Sequence, residues 1–505
     1  MEYMNDIVTH REVLMMRVMN TITDKSNWDK KVFDKHITSK WREEIANSGQ
    51  DVTPKMMDWI IKELQWKAGI FQKTGHVTVF DVGVVKSDKA ISIVYGRTRI
   101  LPDKVIGIDD SLSAIGQGTL IPTPSEEESL FGSERHLTDY SRIRPGLSRK
   151  FQWLPCDVVI KDSKCEISSY INNVHPIKHR GLHDVVEKVI ARTIPLWDQS
   201  LTRKCSLRQE FPYTEVGYGA PVGPEPIRPP DADDIFDEDE YWERQECWEL
   251  SRPILLPEPG DFEILEVMDR VNLREHFGKT GLLVIVKLAN IELTPEKPEY
   301  EGGTWHIEGQ LNERICATSI YYYDNQNITE SSLLFRQRGC ELNDIRYEQD
   351  QHEFLQDVYG LATDDSHNGT EVTQELGGVV CQEGRLLTFP NSVQHKVAPF
   401  SLADRSKSGH RKILALFLIN PHRRVISSAN VPPQREDWAP ENSNLNSVHA
   451  HVSTNSGTPG QDVPGSVMSM EEAKAYRVEL MEERSIKTVE NNTVFEDGDF
   501  CLCAH

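Results

Sequence analysis

The sequence predicts an α+β fold in which a mainly helical N-terminal region precedes a core built largely of strands. Apolar residues recur at helical spacing through residues 1–70, and short apolar or alternating runs bounded by Gly, Pro and Asn replace that period further on. Two histidines and a glutamate stand beside the later runs, at spacings that could bring them to one point.

Ile7, Leu14, Met15, Val18 and Ile22 fall on one face of a first helix, and Phe33, Ile37, Trp41 and Ile45 repeat the pattern. A third helix has a defined start. Thr53 can cap it, Pro54 suits its first position, and Met57, Ile60, Ile61 and Leu64 form its stripe before Gly69. The period then changes, and residues 76–85 and 90–95 read as strands. Gly, Ser, Pro and acidic residues dominate from Asp103 to Arg149, which places a boundary between an N-terminal region, 1–145, and a second domain, 146–438.

Residues 151–160 resume strand character. Asn172, Asn173 and His175 follow, and they either line a pocket or close the turn before Pro176. His183 to Ile194 reads as a helix stopped by Pro195. Proline, glycine and acid alternate from Phe211 to Pro259, an acidic insertion near 221–250. A helix over Phe262–Phe277 leads into the next strands. After Trp438 comes a polar linker, and Ser469 with Glu472 forms a capping box for a helix to about Ser485, so 439–505 reads as linker and terminal helix.

The chemistry-bearing stretch runs from Leu282 to Arg424. Leu282–Leu288 reads as a buried strand, and Gly302-Gly303-Thr304-Trp305-His306-Ile307-Glu308-Gly309 follows it. In extended chain, side chains repeat every second residue, so His306 and Glu308 project from the same face. Residues 384–395 read as a strand, a Pro-Asn turn, and His395 opening the next strand. Two histidines and one carboxylate with open positions form the facial triad that suits Fe(II). A 2-oxoacid could take two open positions, and its far carboxylate would need a permanently charged fork. Arg411, at the head of the apolar run Ile413–Ile419, stands where such an anchor belongs.

Residues 313–324, 384–399 and 409–420 resemble consecutive strands of the 2-oxoglutarate- and Fe(II)-dependent dioxygenases, the prolyl-hydroxylase branch above all. The region from about 150 to 438 also resembles a large fungal family of unknown function. The first resemblance implies a double-stranded β-helix, or jelly roll, with His306, Glu308 and His395 on Fe(II). It further implies Arg411 on the distal carboxylate of 2-oxoglutarate, with Tyr322 assisting. Those dioxygenases usually carry aspartate at the position of Glu308, whose longer arm can still reach a metal. Trp305 and Asn391 are candidate pocket walls, with Asn172, Asn173 and His175 further candidates. The implied reaction is hydroxylation of a C–H bond in a small metabolite or amino-acid-like substrate by O2. The alternatives are a catalytically silent jelly-roll binding or scaffold protein and a divalent-metal hydrolase.

At 505 residues the chain exceeds one ordinary core. Its net charge of −23, from 79 acidic against 56 basic residues, disfavours a broad nucleic-acid or anionic-membrane surface. The nine cysteines are scattered without zinc-type pairing, as expected of a reducing compartment. No run reaches about 18 apolar residues, and residues 1–30 lack the apolar core of a signal peptide, so a cytoplasmic location is expected. The sequence does not fix an oligomeric state.

Overall fold

Capping chemistry starts the first helices where the sequence places them. In the computed structural model α1 spans His10–Asp24, with the Thr9 hydroxyl accepting from Glu12 N and the Glu12 carboxylate accepting from Thr9 N. Helix α2 spans Lys35–Ala46, and α3, Pro54–Thr74, starts on the Thr53 cap. It runs past Gly69 to Gly75, whose left-handed φ of 76° closes it. The structure describes residues 7–91, 119–120, 147–148, 150–202, 211, 213–227, 238–264, 270–339, 345–348, 351–361, 363–364, 369–370, 372–441 and 467–496.

The stretch expected to be one strand over 76–85 is a hairpin, β1 (Val77–Phe80) and β2 (Val84–Ser87). Gly83 makes the turn at φ 96°, where a side chain would also collide with the Ser200 carbonyl. The strand expected at 90–95 and the boundary near 145 fall almost wholly outside the described residues.

Nine of the later strands complete the two main sheets: β3 (Cys156–Lys161), β4 (Lys164–Ile167), β5 (Leu282–Leu293), β6 (Ile315–Gln326), β7 (Ser332–Arg338), β8 (Thr373–Val380), β9 (Leu386–Pro390), β10 (Gln394–Val397) and β11 (Gly409–Ile419). They form an eight-stranded sheet of order β1-β2-β9-β6-β11-β5-β3-β4 and a three-stranded sheet β8-β7-β10; every pairing is antiparallel. The fold is thus α+β.

Alternation decides what each face of the large sheet does. Leu414, Leu416 and Leu418 join Leu282, Val284, Tyr321 and Leu386 in one apolar layer with helix α4 (Arg180–Leu201). The intervening residues point the other way. Ile320, Tyr322, Leu387 and Phe389 meet Leu333, Phe335, Leu376 and Val379 of the small sheet and the apolar faces of α1 and α3 in a second layer. The two sheets are therefore packed face to face, with Phe335 against Phe389 at 5.1 Å between ring centroids.

Helix α4 continues through Pro195, which the sequence reading took as its stop. A mid-helix proline costs about 3 kcal/mol. Leu196 and Trp197, just beyond it, are 2% and 0% exposed, and burying two such side chains outweighs the lost hydrogen bond. The helix expected over 262–277 is only Leu273–Phe277, because Asn272 caps it from Glu275 N; 262–264 are not helical and 265–269 lie outside the described residues. Part of the acidic insertion, Glu238–Leu250, is helical. The terminal helix α5, Met470–Glu496, carries the expected Ser469–Glu472 capping box and runs eleven residues beyond Ser485.

One charged cluster ties α1 to the sheet edge. Arg385 is fully buried, with Nη2 2.7 Å from Asp24, Nε 2.7 Å from Asp88 and Nη1 donating to the Val380 carbonyl. Lys86, pulled down to about 8 by burial, reaches the same Asp24 at 2.6 Å.

Candidate metal centre

His306 and His395 are brought together by backbone, not by chance packing. His306 N donates to His395 O at 3.1 Å and His395 N to His306 O at 3.0 Å, an antiparallel bridge that sets both rings on one side. Their centroids lie 4.4 Å apart. Glu308, two residues on, shares that side as the period-2 reading requires. Its Oε1 is 3.3 Å from His395 Nε2 and 3.9 Å from His306 Nε2. The three residues each offer a ligand atom within 4.8 Å of the others, the one such group among the described residues.

Neighbours fix each candidate ligand. The Thr304 carbonyl takes the His306 Nδ1 position at 2.8 Å, which leaves Nε2 as the free lone pair. Asn391 clamps the backbone of Glu308 from both sides: its Oδ1 accepts from Glu308 N at 2.8 Å and its Nδ2 donates to Glu308 O at 2.9 Å. Phe389 covers His395 at 4.7 Å, and Phe335 is its cross-strand partner. Side-chain exposure is 35% at His306, 11% at Glu308 and 3% at His395, so the centre opens on the His306 side.

The electrostatics favour a cation. Burial, then the charge of His395, holds the His306 imidazole down at about 4, so it is neutral and coordinating at neutral pH. Burial would push Glu308 up, but the hydrogen bond from His395 and the charges of His306, His395 and Lys287 outweigh it and bring the carboxyl to about 2. A neutral imidazole beside an ionised carboxylate is the protonation state a divalent ion requires.

Arg411 and Tyr322 lie deeper between the sheets. Arg411 is 3% exposed, its guanidinium carbon 5.7 Å from the Tyr322 ring centroid and 5.3 Å from that of Phe400. Among the described residues its one hydrogen bond is Nη1 to Ser331 Oγ at 3.5 Å, a weak one, and Nε has no partner. It has no carboxylate partner among the described residues. Tyr322 is 1% exposed; burial, then the neighbouring Cys381, raises its hydroxyl well above the usual range. Ser331 immediately precedes β7 and lies four positions before Phe335, about 13 Å at ~3.3 Å per residue, so the guanidinium and the His395 level belong to one interior.

The other candidates behave differently. Trp305 turns its ring outward beneath Lys396 at 4.4 Å and Arg336 at 4.9 Å, and Asn391 is a positioning residue with its amide committed to backbone. Asn172, Asn173 and His175 take the turn reading. Asn173 has φ 62°, His175 Nδ1 accepts from Ile177 N and Lys178 N, and adjoining Ile171 and Val174 belong to the α4 layer on the far face of the large sheet. Two features were not foreseen. Lys287 projects inward beside Trp153, and α5 reaches the centre's rim, where Asn492 donates to Trp305 O and accepts from Gln394 Nε2, both at 2.8 Å. A lone lysine in the apolar run 282–288 was the available signal for the first; polar contacts across more than ninety residues left none for the second.

No helix among the described residues is long and apolar enough to cross a membrane. A family model described as a protein of unknown function (DUF4246) matches residues 54–93 and 91–442, and one for the N-terminal domain of DUF4246 matches residues 2–44. No curated protein matches the chain.

Proposed function

The chain belongs to the DUF4246 family, whose function is unknown, and from its metal centre we propose that it is a 2-oxoglutarate- and Fe(II)-dependent dioxygenase on a double-stranded β-helix. The observation that carries this reading is the pairing of a two-histidine, one-glutamate group with a buried guanidinium that lacks a carboxylate among the described residues. A buried charge without a partner costs several kcal/mol, so Arg411 is best understood as waiting for an anion. A divalent-metal hydrolase has no use for such a group. The interleaved order β9-β6-β11-β5 facing β8-β7-β10, with the histidine bridge at one end, supports the β-helix reading.

The donor set fits Fe(II): two imidazole nitrogens and one carboxylate oxygen. When bound, Fe(II) with 2-oxoglutarate and O2 supplies oxidation of a substrate C–H bond, with succinate and CO2 as co-products. Arg411 holds the far carboxylate of the co-substrate, and Tyr322 walls that pocket. Thr304 and Asn391 keep His306 and Glu308 in their coordinating poses, while Phe389 and Phe335 exclude water from the His395 side.

Purified chain supplied with Fe(II), 2-oxoglutarate and a metabolite library is expected to form succinate with at least one pool, and His395→Ala none. Wild-type protein that binds Fe(II) yet forms no succinate with any pool would contradict the assignment.

A further inference from the structure

A second set of groups on the inward face, led by the half-buried Lys287 and distinct from the co-substrate anchor, also lacks an acceptor among the described residues. Lys287 pairs in register with Ala415, and Ile285 with Phe417, which sets Lys287 on the inward face of β5. Its Nζ is 5.5 Å from the Trp153 ring centroid, and its charge acts on both His306 and Glu308. Among the described residues it makes no hydrogen bond and no ion pair. That is notable in a chain with 79 acidic residues against 56 basic ones.

The surroundings continue the pattern. Trp153, 6% exposed, stacks on Phe417 at 5.4 Å and 15°, and its Nε1 is buried without an acceptor among the described residues. Thr318, fully buried with Phe389 and Phe417 as cross-strand neighbours, has a hydroxyl with no partner among the described residues. Lysine and indole can only donate, and the hydroxyl can. Together they border an aromatic wall running from Trp153 through Phe417 to Phe389, which touches His395. Arg484 of α5 lies over the same indole at 4.0 Å, but Glu313 already answers it at 2.5 Å. Lys287 is the spare charge.

Resting on the dioxygenase reading, we infer that the molecule oxidised here carries a carboxylate or like anionic oxygen group, bound by Lys287 and Trp153 Nε1, with an apolar body along Phe417 and Phe389. Arg411 does not serve this group, because its neighbours are Ser331, Tyr322 and Phe400 at the other end of the interior. A charge-assisted donor separates an acid from its neutral amide, which the same cavity would otherwise accept equally.

The test uses full-length chain loaded with redox-inert Mn(II) and saturating 2-oxoglutarate. It is titrated calorimetrically with monocarboxylic acids from acetate to phenylacetate and with their primary amides. The best acid is expected to bind at least about tenfold tighter than its amide. Lys287→Met is expected to erase that preference while leaving Mn(II) and 2-oxoglutarate affinities unchanged. Equal binding of acid and amide, binding of neither, or a preference that survives Lys287→Met would overturn the inference. So would loss of 2-oxoglutarate affinity in that variant, which would make Lys287 part of the co-substrate site. Wild-type chain that takes up no Mn(II) or no 2-oxoglutarate would instead defeat the underlying reading, and the same titrations record those two steps separately.

Discussion

Two buried arginines mark two regions built on opposite terms. At the sheet edge, Arg385 is 0% exposed and the chain answers it fully, with Asp24, Asp88 and the Val380 carbonyl. Between the sheets, Arg411 is 3% exposed and meets one distant hydroxyl and two ring faces. Burial is alike, so the difference lies in the counter-charge. The first region closes its own electrostatics and fastens α1 to the sheet. The second leaves an account open, and the open side is what a bound anion would complete.

The largest expected effect breaks the closed region. Arg385→Met strands Asp24 and Asp88 beside Lys86, and urea unfolding should show a loss of about 3–5 kcal/mol. Arg411→Met is the contrast: stability should change by less than about 1 kcal/mol or rise, because no ion pair is broken. The same variant should retain the metal and lose 2-oxoglutarate affinity by about a hundredfold, measured by calorimetry. If the two substitutions destabilise alike, the contrast fails.

A smaller effect sharpens the picture on the outer face. His183 of α4 is 1% exposed, and among the described residues its Nε2 meets only the Val174 carbonyl, at 3.5 Å. Burial lowers it to about 4. The unfolded chain, with an imidazole near 6.5, takes up the proton first, so the contribution is complete above that pH and is lost as pH falls toward 4. Between neutral pH and pH 5 the wild type should lose about 2 kcal/mol from this group, and His183→Leu should flatten that part of the profile. The smallest effect is at the rim: Asn492→Ala removes two hydrogen bonds and should cost about 1–2 kcal/mol, seen as faster amide exchange in the last turns of α5.

The sequence carried the grouping of His306, Glu308 and His395 because their spacing is a backbone statement. An H-x-E pair in extended chain faces one way whatever surrounds it, and the Pro390-Asn391 turn returns His395 to the same level. The helices of the first seventy residues were legible for a similar reason, in stripes and caps that act locally. What local signals could not carry was settled by tertiary burial. Pro195 stays helical because Leu196 and Trp197 are buried beyond it, and the 76–85 run folds on Gly83 rather than continuing as one strand. Asn391, a candidate wall in the sequence, also clamps the Glu308 backbone, which only the direction of its amide reveals. Lys287 went unremarked inside an apolar run, although a lone cation there has to face either solvent or a site.

The central claim is that His306, Glu308 and His395 hold one iron ion while Arg411 receives 2-oxoglutarate beside it. Anaerobic addition of Fe(II) and 2-oxoglutarate tests it most directly, through the weak visible charge-transfer band of a chelated 2-oxoacid. Wild-type protein should develop the band and His306→Ala should not; a colourless wild type, or a band that persists in the variant, would contradict the account.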